Sequence, residues 1–135
     1  MRLIQELADY EKAPQEVTVS EAQMSDAFSN GKLFEYFVAE TEEQQVVGIA
    51  LFYYKYSTWK GRCIYLEDIV VTQTHRRQGI GKALFEKVVE RAKSDKVKRL
   101  QWQVLKWNTP AIDFYKQYKT IVDDEWYNCK IIEFE

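Results

Sequence analysis

The chain has 135 residues, of which 46% are hydrophobic and 15% aromatic, and its formal net charge is -2 at pH 7. A chain of this length and apolar content is typical of one folded domain, so we expect a single domain over residues 1-135. The small negative charge and the lack of a basic tail argue against a protein that binds nucleic acid by neutralising phosphates. A small or cationic partner fits this charge balance better.

The two cysteines, Cys63 and Cys129, stand far apart and show no CxxC or Cys/His spacing. We therefore expect two reduced, mostly buried thiols and no metal site. No stretch approaches the ~20 apolar residues of a membrane span, and the N-terminus lacks the pattern of a signal peptide. The expected location is the cytoplasm, without a membrane partner.

Two short helices are predicted before the first strand. In "RLIQELADYEKA", apolar residues from Leu3 to Ala8 recur at helical spacing, with charged residues opposite. In "SEAQMSDAFSNGK", Ser20 is a candidate N-cap and Gly31 is a stop signal.

Runs of β-branched and aromatic residues predict the strands. The runs "FEYFVAE" and "QVVGIALFYYKY", separated by the polar "TEEQQ", predict an antiparallel hairpin, and "GRCIYLEDIVV" predicts a third strand. Further along, "VKRLQWQVLKW" predicts a fourth strand. The final segment "TIVDDEWYNCKIIEFE" predicts two short strands joined by an acidic turn.

Two more helices are predicted around the fourth strand. "GKALFEKVVERAKS" repeats Leu84, Val88 and Ala92 at steps of four, and "NTPAIDFYKQY" opens with the Asn and Pro typical of a helix N-terminus. Because a crossover helix joins consecutive strands, the central strands should be parallel. The predicted fold class is α+β, a mixed central sheet with flanking helices, with ligands at the carboxyl ends of the strands.

The segment "RRQGIGK", residues 76–82, joins the third strand to the following helix. A helix N-terminus presents unpaired N–H groups and partial positive charge, and glycines let the backbone approach a ligand closely. Arg76, Arg77 and Lys82 add positive charge at the same turn. The segment therefore predicts an anion site, for phosphate above all; the alternative is an ordinary strand-to-helix turn with exposed arginines.

Two common phosphate motifs are excluded at this turn. A P-loop requires Gly at position 76 and Ser or Thr after Lys82, but the chain has Arg76 and Ala83. A dinucleotide fingerprint requires a third glycine where the chain has Leu84. The remaining Arg-x-x-Gly-x-Gly pattern after "YLEDIVV" resembles the coenzyme A motif of the GNAT superfamily of N-acetyltransferases.

A second motif strengthens this resemblance. "LKWNTPAIDFYKQY" carries Asn108, Ala111 and the pair Phe114 and Tyr115 at the spacing of the superfamily's next segment. Together with "LIQELADYE" and "YLEDIVV", this segment is similar to the spermidine/spermine, or diamine, N-acetyltransferase branch, and the similarity runs along nearly the whole chain.

The resemblance implies a GNAT acetyltransferase fold and acetyl-CoA as the cofactor. It implies that the backbone of the turn holds the pyrophosphate and that the third strand pairs with the pantetheine arm. The implied coenzyme-binding residues are Ile69, Val70, Val71, Arg76, Arg77, Gln78, Gly79, Ile80, Gly81, Lys82, Asn108 and Tyr115.

Acetyl transfer to an amine needs a base and an acid. An aliphatic ammonium has a pKa of ~10.4 and must lose a proton before it attacks a thioester. The resemblance places Glu67 beside the acyl site, where we expect it to act as the base through a water, and it assigns Tyr115 as the acid for the coenzyme A thiolate. The alternatives are a solvated strand-end carboxylate and a core aromatic.

A cationic acceptor requires carboxylates spaced along a groove, because they replace the water around its ammonium groups. Strand alternation points Glu67 and Asp68 to opposite faces unless a β-bulge intervenes. Trp102 is expected as a cation–π contact or as a half-buried strand aromatic, and His75 has no expected catalytic role. The candidate acceptor-binding residues are Tyr10, Glu11, Glu67, Asp68, Trp102 and Glu125.

The chain departs from its resemblance at two places. Family members begin with a strand before the first helix, and this strand is missing here, either natively or by truncation. Lys119 replaces the glycine that usually follows the helix carrying the catalytic tyrosine. The branch also implies a homodimer.

The predicted function is acetyl-CoA-dependent N-acetyl transfer to a primary amine of a small polyamine or diamine. One alternative keeps the chemistry and takes thialysine or another small amine as acceptor. The other is a non-catalytic coenzyme A-binding module.

Overall fold

The structure is a computed structural model that describes residues 1–134. Its elements run, in order, α1 (Arg2–Tyr10), α2 (Glu21–Ser29), β1 (Glu35–Glu40), β2 (Val46–Ser57), β3 (Gly61–Val71), α3 (Ile80–Ser94), β4 (Leu100–Gln101) and α4 (Thr109–Tyr115). All four predicted helices and the first three predicted strands are confirmed. No strand precedes α1 within residues 1–134.

The chain divides into two compact units, Met1–Gln103 and the residues from Val104 onward. The first unit contains the whole sheet and the helices α1, α2 and α3. The second contains α4. That residues 1-135 form a single domain stays a prediction.

The sheet has the order β1-β2-β3-β4. The β1–β2 and β2–β3 pairs are antiparallel, and β3–β4 is parallel, which confirms the mixed sheet and the crossover through α3. The fourth strand is much shorter than predicted, because its ladder with β3 consists only of the pairs Ile64 with Leu100 and Tyr65 with Gln101.

Helix α2 begins where the sequence predicted. The Ser20 side chain accepts a hydrogen bond from the Gln23 N–H, and the Gln23 side chain accepts one from the Ser20 N–H, which completes a capping box. At the other end of the helix, the Phe28 ring lies 5.1 Å from that of Tyr36, which joins the helix to β1.

The core of the first unit lies between the central strands and α3. Phe52 and Ile64 from the sheet and Phe85 and Val88 from α3 are almost fully buried. A Cβ added at Gly48 would lie 2.9 Å from Cδ1 of Leu84. Glycine at position 48 therefore allows the close approach of α3 to β2 without displacing the Leu84 side chain.

The second unit begins at the helix predicted from its Asn and Pro. The Asn108 side chain accepts a hydrogen bond from the Ala111 N–H, and Pro110 lies in the first turn. The two strands predicted within residues 120–135 are wrong over residues 120–134, where no strand is assigned, and Glu135 lies outside the described residues. Apolar alternation forms a strand only where a partner backbone completes its ladder.

The two cysteines are free thiols in different environments. Cys63 is buried in β3, as predicted, but Cys129 is exposed, so the prediction of two mostly buried thiols is wrong for Cys129. No helix within residues 1–134 is long and apolar enough to cross a membrane.

Candidate active site

The turn between β3 and α3 has the backbone geometry of an anion-binding loop. After a short 3-10 turn at Gln73–His75, Arg77 and Gly79 adopt left-handed conformations with φ of 63° and 79°. The amide groups of the first turn of α3 follow directly, so N–H groups and helix dipole point to one place.

Glycines keep this turn open. A Cβ at Gly79 would meet no atom within 4 Å, so this glycine serves the left-handed backbone and not the packing. A Cβ at Gly81 would lie 3.6 Å from Cγ2 of Val71, an ordinary contact. The turn therefore has room for a ligand close to its backbone, which fits a pyrophosphate.

The polar side chains of the turn differ in their surroundings. Arg77, Gln78 and Lys82 are exposed, and Ile80 is half-buried. Arg76 is also exposed but is engaged within the protein: its Nε donates to the Val71 carbonyl oxygen at 2.9 Å. Among the predicted phosphate-facing cations, Arg76 therefore has a partner within the protein, and Arg77 and Lys82 are exposed.

A β-bulge lies in β3 just before the turn. Leu51 pairs with Asp68 and Phe52 with Leu66, which leaves Glu67 without a partner in the β2 ladder. This is the bulge whose presence the sequence left open.

At the end of β3, the ladder with β2 continues further than the ladder with β4. Ile69, Val70 and Val71 pair with β2, whereas the ladder with β4 stops at Tyr65. The strand segment predicted to hold the pantetheine arm therefore lies beyond the β4 ladder.

Two carboxylates follow each other at the bulge. Glu67 is exposed and Asp68 is partly buried. Burial raises the pKa of Asp68 to about 6, and repulsion from Glu67 and from Glu11 adds to the shift. Burial also raises the pKa of Glu11. The fold therefore concentrates negative charge where the sequence predicted a cationic acceptor.

Tyr53 is a functional candidate that the sequence did not predict. Its hydroxyl donates to Oε2 of Glu67 at 3.2 Å, and its ring stacks on that of Tyr65 with centroids 5.4 Å apart. Burial, with the Glu67 carboxylate next in size, raises the pKa of Tyr53 to about 12, so its hydroxyl stays protonated as a donor. Only the register that sets Tyr53 opposite Tyr65 would have indicated it.

The end of α1 supplies two predicted acceptor-binding residues. The Tyr10 ring lies under the Arg76 guanidinium, 5.4 Å from ring centroid to Cζ, and Glu11 is the C-cap of the helix. The structure thus brings the end of α1 to the turn of residues 76–82, the predicted coenzyme turn. Trp102 is half-buried just after β4, edge-to-face on Phe85 at 5.2 Å.

Three predicted site residues belong to the second unit. Asn108 caps α4, Tyr115 ends the same helix and is buried, and Glu125 is exposed in the segment after it. The Phe114 ring lies between those of Tyr115 and Tyr118, 5.4 and 5.6 Å from them. No group of three or more His, Cys, Asp and Glu side chains suited to a metal occurs within residues 1–134.

The mixed sheet and the glycine turn that opens α3 are those expected of a GNAT acetyltransferase fold. The chain belongs to the acetyltransferase (GNAT) family, whose model matches residues 2–118. It is an N-acetyltransferase of this family.

Curated relatives agree with this assignment, and a solved structure shares the fold. The chain is 42% identical to thialysine N-epsilon-acetyltransferase of Bos taurus, over all of this chain and 85% of that protein. It is 32% identical to spermidine/spermine N(1)-acetyltransferase-like protein 1 of Homo sapiens, over 85% of this chain and 18% of that protein. A mutant of the BH1408 protein from Bacillus halodurans superposes with a TM-score of 0.79 and 18% identity, over 97% and 90% of the two chains.

Proposed function

We propose that this chain transfers the acetyl group of acetyl-CoA to a primary amine of a small diamine or polyamine. The observation that carries the proposal is the carboxylate pair Glu67 and Asp68 at a β-bulge, on the strand that leads into the glycine turn. Negative charge there favours a cationic acceptor, and the turn favours the phosphates of coenzyme A.

The coenzyme site is built from backbone. The N–H groups from Gln78 to Lys82 meet the pyrophosphate, with Arg77 and Lys82 adding charge, and the edge of β3 from Ile69 to Val71 meets the pantetheine arm. Bound there, the coenzyme supplies an acyl thioester. Asn108 caps α4 and is a further proposed ligand of the coenzyme.

Glu67 is the proposed base. Through a water it accepts the proton that the acceptor ammonium must lose before it attacks. Tyr53 donates a 3.2 Å hydrogen bond to Oε2 of this carboxylate, which leaves Oε1 as the oxygen proposed to accept the proton. Tyr115 donates the proton that the departing thiolate takes up.

The remaining acceptor-binding residues supply charge and aromatic surface for the amine. Asp68 and Glu11 are counter-charges for its ammonium groups, and Tyr10 is an aromatic wall beside them. Trp102 and Glu125 complete the proposed set. The protein is further proposed to act in the cytoplasm as a homodimer.

Thialysine or another lysine-like amine is the second candidate acceptor. The full-length match at 42% identity to a thialysine acetyltransferase favours it. Its chemistry at the acyl group is the same, since it too presents a primary amine. Both kinds of acceptor carry a second, well-separated ammonium group, but the amino acid also carries a carboxylate beside it, and that carboxylate distinguishes it from a polyamine.

The test is thiol release from acetyl-CoA by the purified protein over a panel of spermidine, spermine, putrescine, lysine and thialysine. Turnover that is fastest with a polyamine or diamine supports the proposal. A preference for thialysine over every polyamine moves the second candidate to the front. If coenzyme A binds in calorimetry but no amine accelerates release, the acceptor class is wrong and a coenzyme-binding module is the better description.

A variant and its control separate the role of the proposed base from coenzyme binding. Glu67→Gln removes the proposed base, and we expect kcat to fall by roughly a hundredfold while the dissociation constant of coenzyme A stays within about twofold. Glu90→Gln, on the exposed face of α3, is the matched control and should behave as the unmodified protein. Equal loss in both variants would contradict the assignment of the base.

A further inference from the structure

Arg76 has three partners inside the first unit. Its Nε donates to the Val71 carbonyl oxygen at 2.9 Å, its Nη2 lies 3.7 Å from Oε1 of Glu6, and its guanidinium covers the Tyr10 ring. These partners belong to β3 and to α1. The guanidinium therefore bridges the end of the strand and the first helix.

Glu6 is the centre of the same network. Its Oε1 accepts the Gln73 N–H at 2.7 Å, its Oε2 accepts the Thr72 hydroxyl at 3.0 Å, and Arg2 lies one helical turn away at 3.7 Å. Thr72 is buried, with 8% of its surface exposed. One carboxylate of α1 thus holds the two residues that follow β3 and the arginine that opens the coenzyme turn.

We propose that Arg76 is a positioning residue: through Glu6 it fixes the mouth of the coenzyme turn against α1, and it does not itself bind phosphate. This inference rests on the proposed function, because it assigns a role within the proposed coenzyme site. The phosphates are then met by the backbone of the turn, with Arg77 and Lys82.

The geometry of the guanidinium supports this role. Arginine presents its donors in a planar fork, and here Nε hydrogen-bonds a carbonyl oxygen while Nη2 forms an ion pair with a carboxylate. A lysine has one compact ammonium group and cannot reproduce that fork. A charge that only attracts phosphate, in contrast, is largely preserved in lysine.

The network around Glu6 fixes the position of the residues that begin the coenzyme turn. The next residue, Arg77, has a left-handed backbone that local interactions alone do not favour. Fixing the residues before it reduces the entropy that coenzyme binding must remove. Loss of Glu6 should therefore weaken coenzyme binding, even though it removes a negative charge close to the proposed phosphate site.

The test compares Arg76→Lys, Arg76→Gln, Glu6→Gln and the double variant Glu6→Gln with Arg76→Gln, using Glu90→Gln as the control. The dissociation constant of coenzyme A is measured by calorimetry, kcat and the KM for acetyl-CoA by thiol release, and folding by thermal unfolding. We expect each single variant, Arg76→Lys included, to weaken coenzyme A by about tenfold. The KM for acetyl-CoA should rise accordingly, while kcat at saturation stays within about twofold.

The double variant should bind no more weakly than either single Gln variant, since both remove the same network. The inference is overturned if Arg76→Lys binds as tightly as the unmodified protein, or if Glu6→Gln binds as tightly or more tightly while Arg76→Gln is weakened. Additive losses in the double variant overturn it as well. The two failures are distinguishable. The proposed function fails if the unmodified protein does not bind coenzyme A, whereas the inference alone fails if the unmodified protein binds it and the variants behave as just described.

Discussion

Ionisation of Asp68 opposes folding. Its pKa of about 6 in the fold lies above the 3.8 of a free aspartate, so between these pH values the folded chain binds more protons than the unfolded chain. The contribution of Asp68 is most favourable below pH 4 and is lost as the pH rises through 6. Above pH 6 its charge costs on the order of 2 kcal/mol.

Asp68→Asn should remove this cost. We expect its free energy of unfolding at pH 8 to exceed that of the unmodified protein by roughly 1–2 kcal/mol, with no difference at pH 4. Urea unfolding at the two pH values measures this, and Glu90→Gln is the exposed control. A gain of equal size at both pH values would mean that ionisation of Asp68 is not its cause.

Tyr115 carries the acid in the proposed mechanism. Tyr115→Phe removes only the hydroxyl, so we expect kcat to fall by roughly a hundredfold and the dissociation constant of coenzyme A to change by less than about twofold. Tyr118→Phe is the matched control on the neighbouring ring. If coenzyme affinity and kcat fall together in Tyr115→Phe, the tyrosine supports the structure and is not the acid.

Neighbouring residues of β3 show how far sequence reasoning reached at this scale. Glu67 and Asp68 were predicted from the motif, but their environments follow from the bulge and from Glu11, which is distant in sequence. Tyr53 was missed because its relevance depends entirely on the register of β2 against β3. A register is a property of two segments, and neither contains it alone.

At the scale of elements, substitutions at two glycines of the first unit distinguish an effect on packing from an effect on coenzyme binding. Gly48→Ala places a Cβ 2.9 Å from Leu84, in the contact of β2 with α3, and we expect it to lower the free energy of unfolding by about 1–2 kcal/mol. Gly81→Ala places its Cβ at ordinary distance from Val71, within the first turn of a helix, and should leave stability unchanged or slightly higher.

Coenzyme binding should show the opposite order. Gly81→Ala puts a methyl group beside the proposed pyrophosphate site, so we expect coenzyme A to bind at least about tenfold more weakly, while Gly48→Ala binds it normally once folded. Urea unfolding and calorimetry on the same two proteins measure both properties. Normal coenzyme affinity in Gly81→Ala would mean that the pyrophosphate does not bind at this turn.

Elements with a local signal were predicted well. The capping box at Ser20 and the Asn108 cap are made within a few residues, so the sequence carries them in full. β4 and the final segment were predicted poorly, since apolar alternation does not say whether a partner strand continues. The structure has two residues in β4 and no strand in residues 120–134.

At the scale of the whole molecule, the chain leaves large apolar side chains exposed. Ile121, Tyr127 and Phe134 have 90%, 97% and 88% of their surface accessible in the single chain. Exposed apolar surface is typical of a protein that associates, which agrees with the proposed homodimer. We expect sedimentation to give about twice the 16.1 kDa of one chain, and a monomer at micromolar concentration would contradict the proposal.

Neighbouring residues and short spacings specify the order and type of most elements, the helix caps, the glycine turn and the family resemblance, so these follow from the amino-acid sequence. What those residues face follows only from the fold. It engaged Arg76 with Glu6 and Tyr10, raised the pKa of Asp68, set Tyr53 on Glu67 and ended β4 after two residues. Burial and contact between distant segments are produced by packing, which no local pattern specifies.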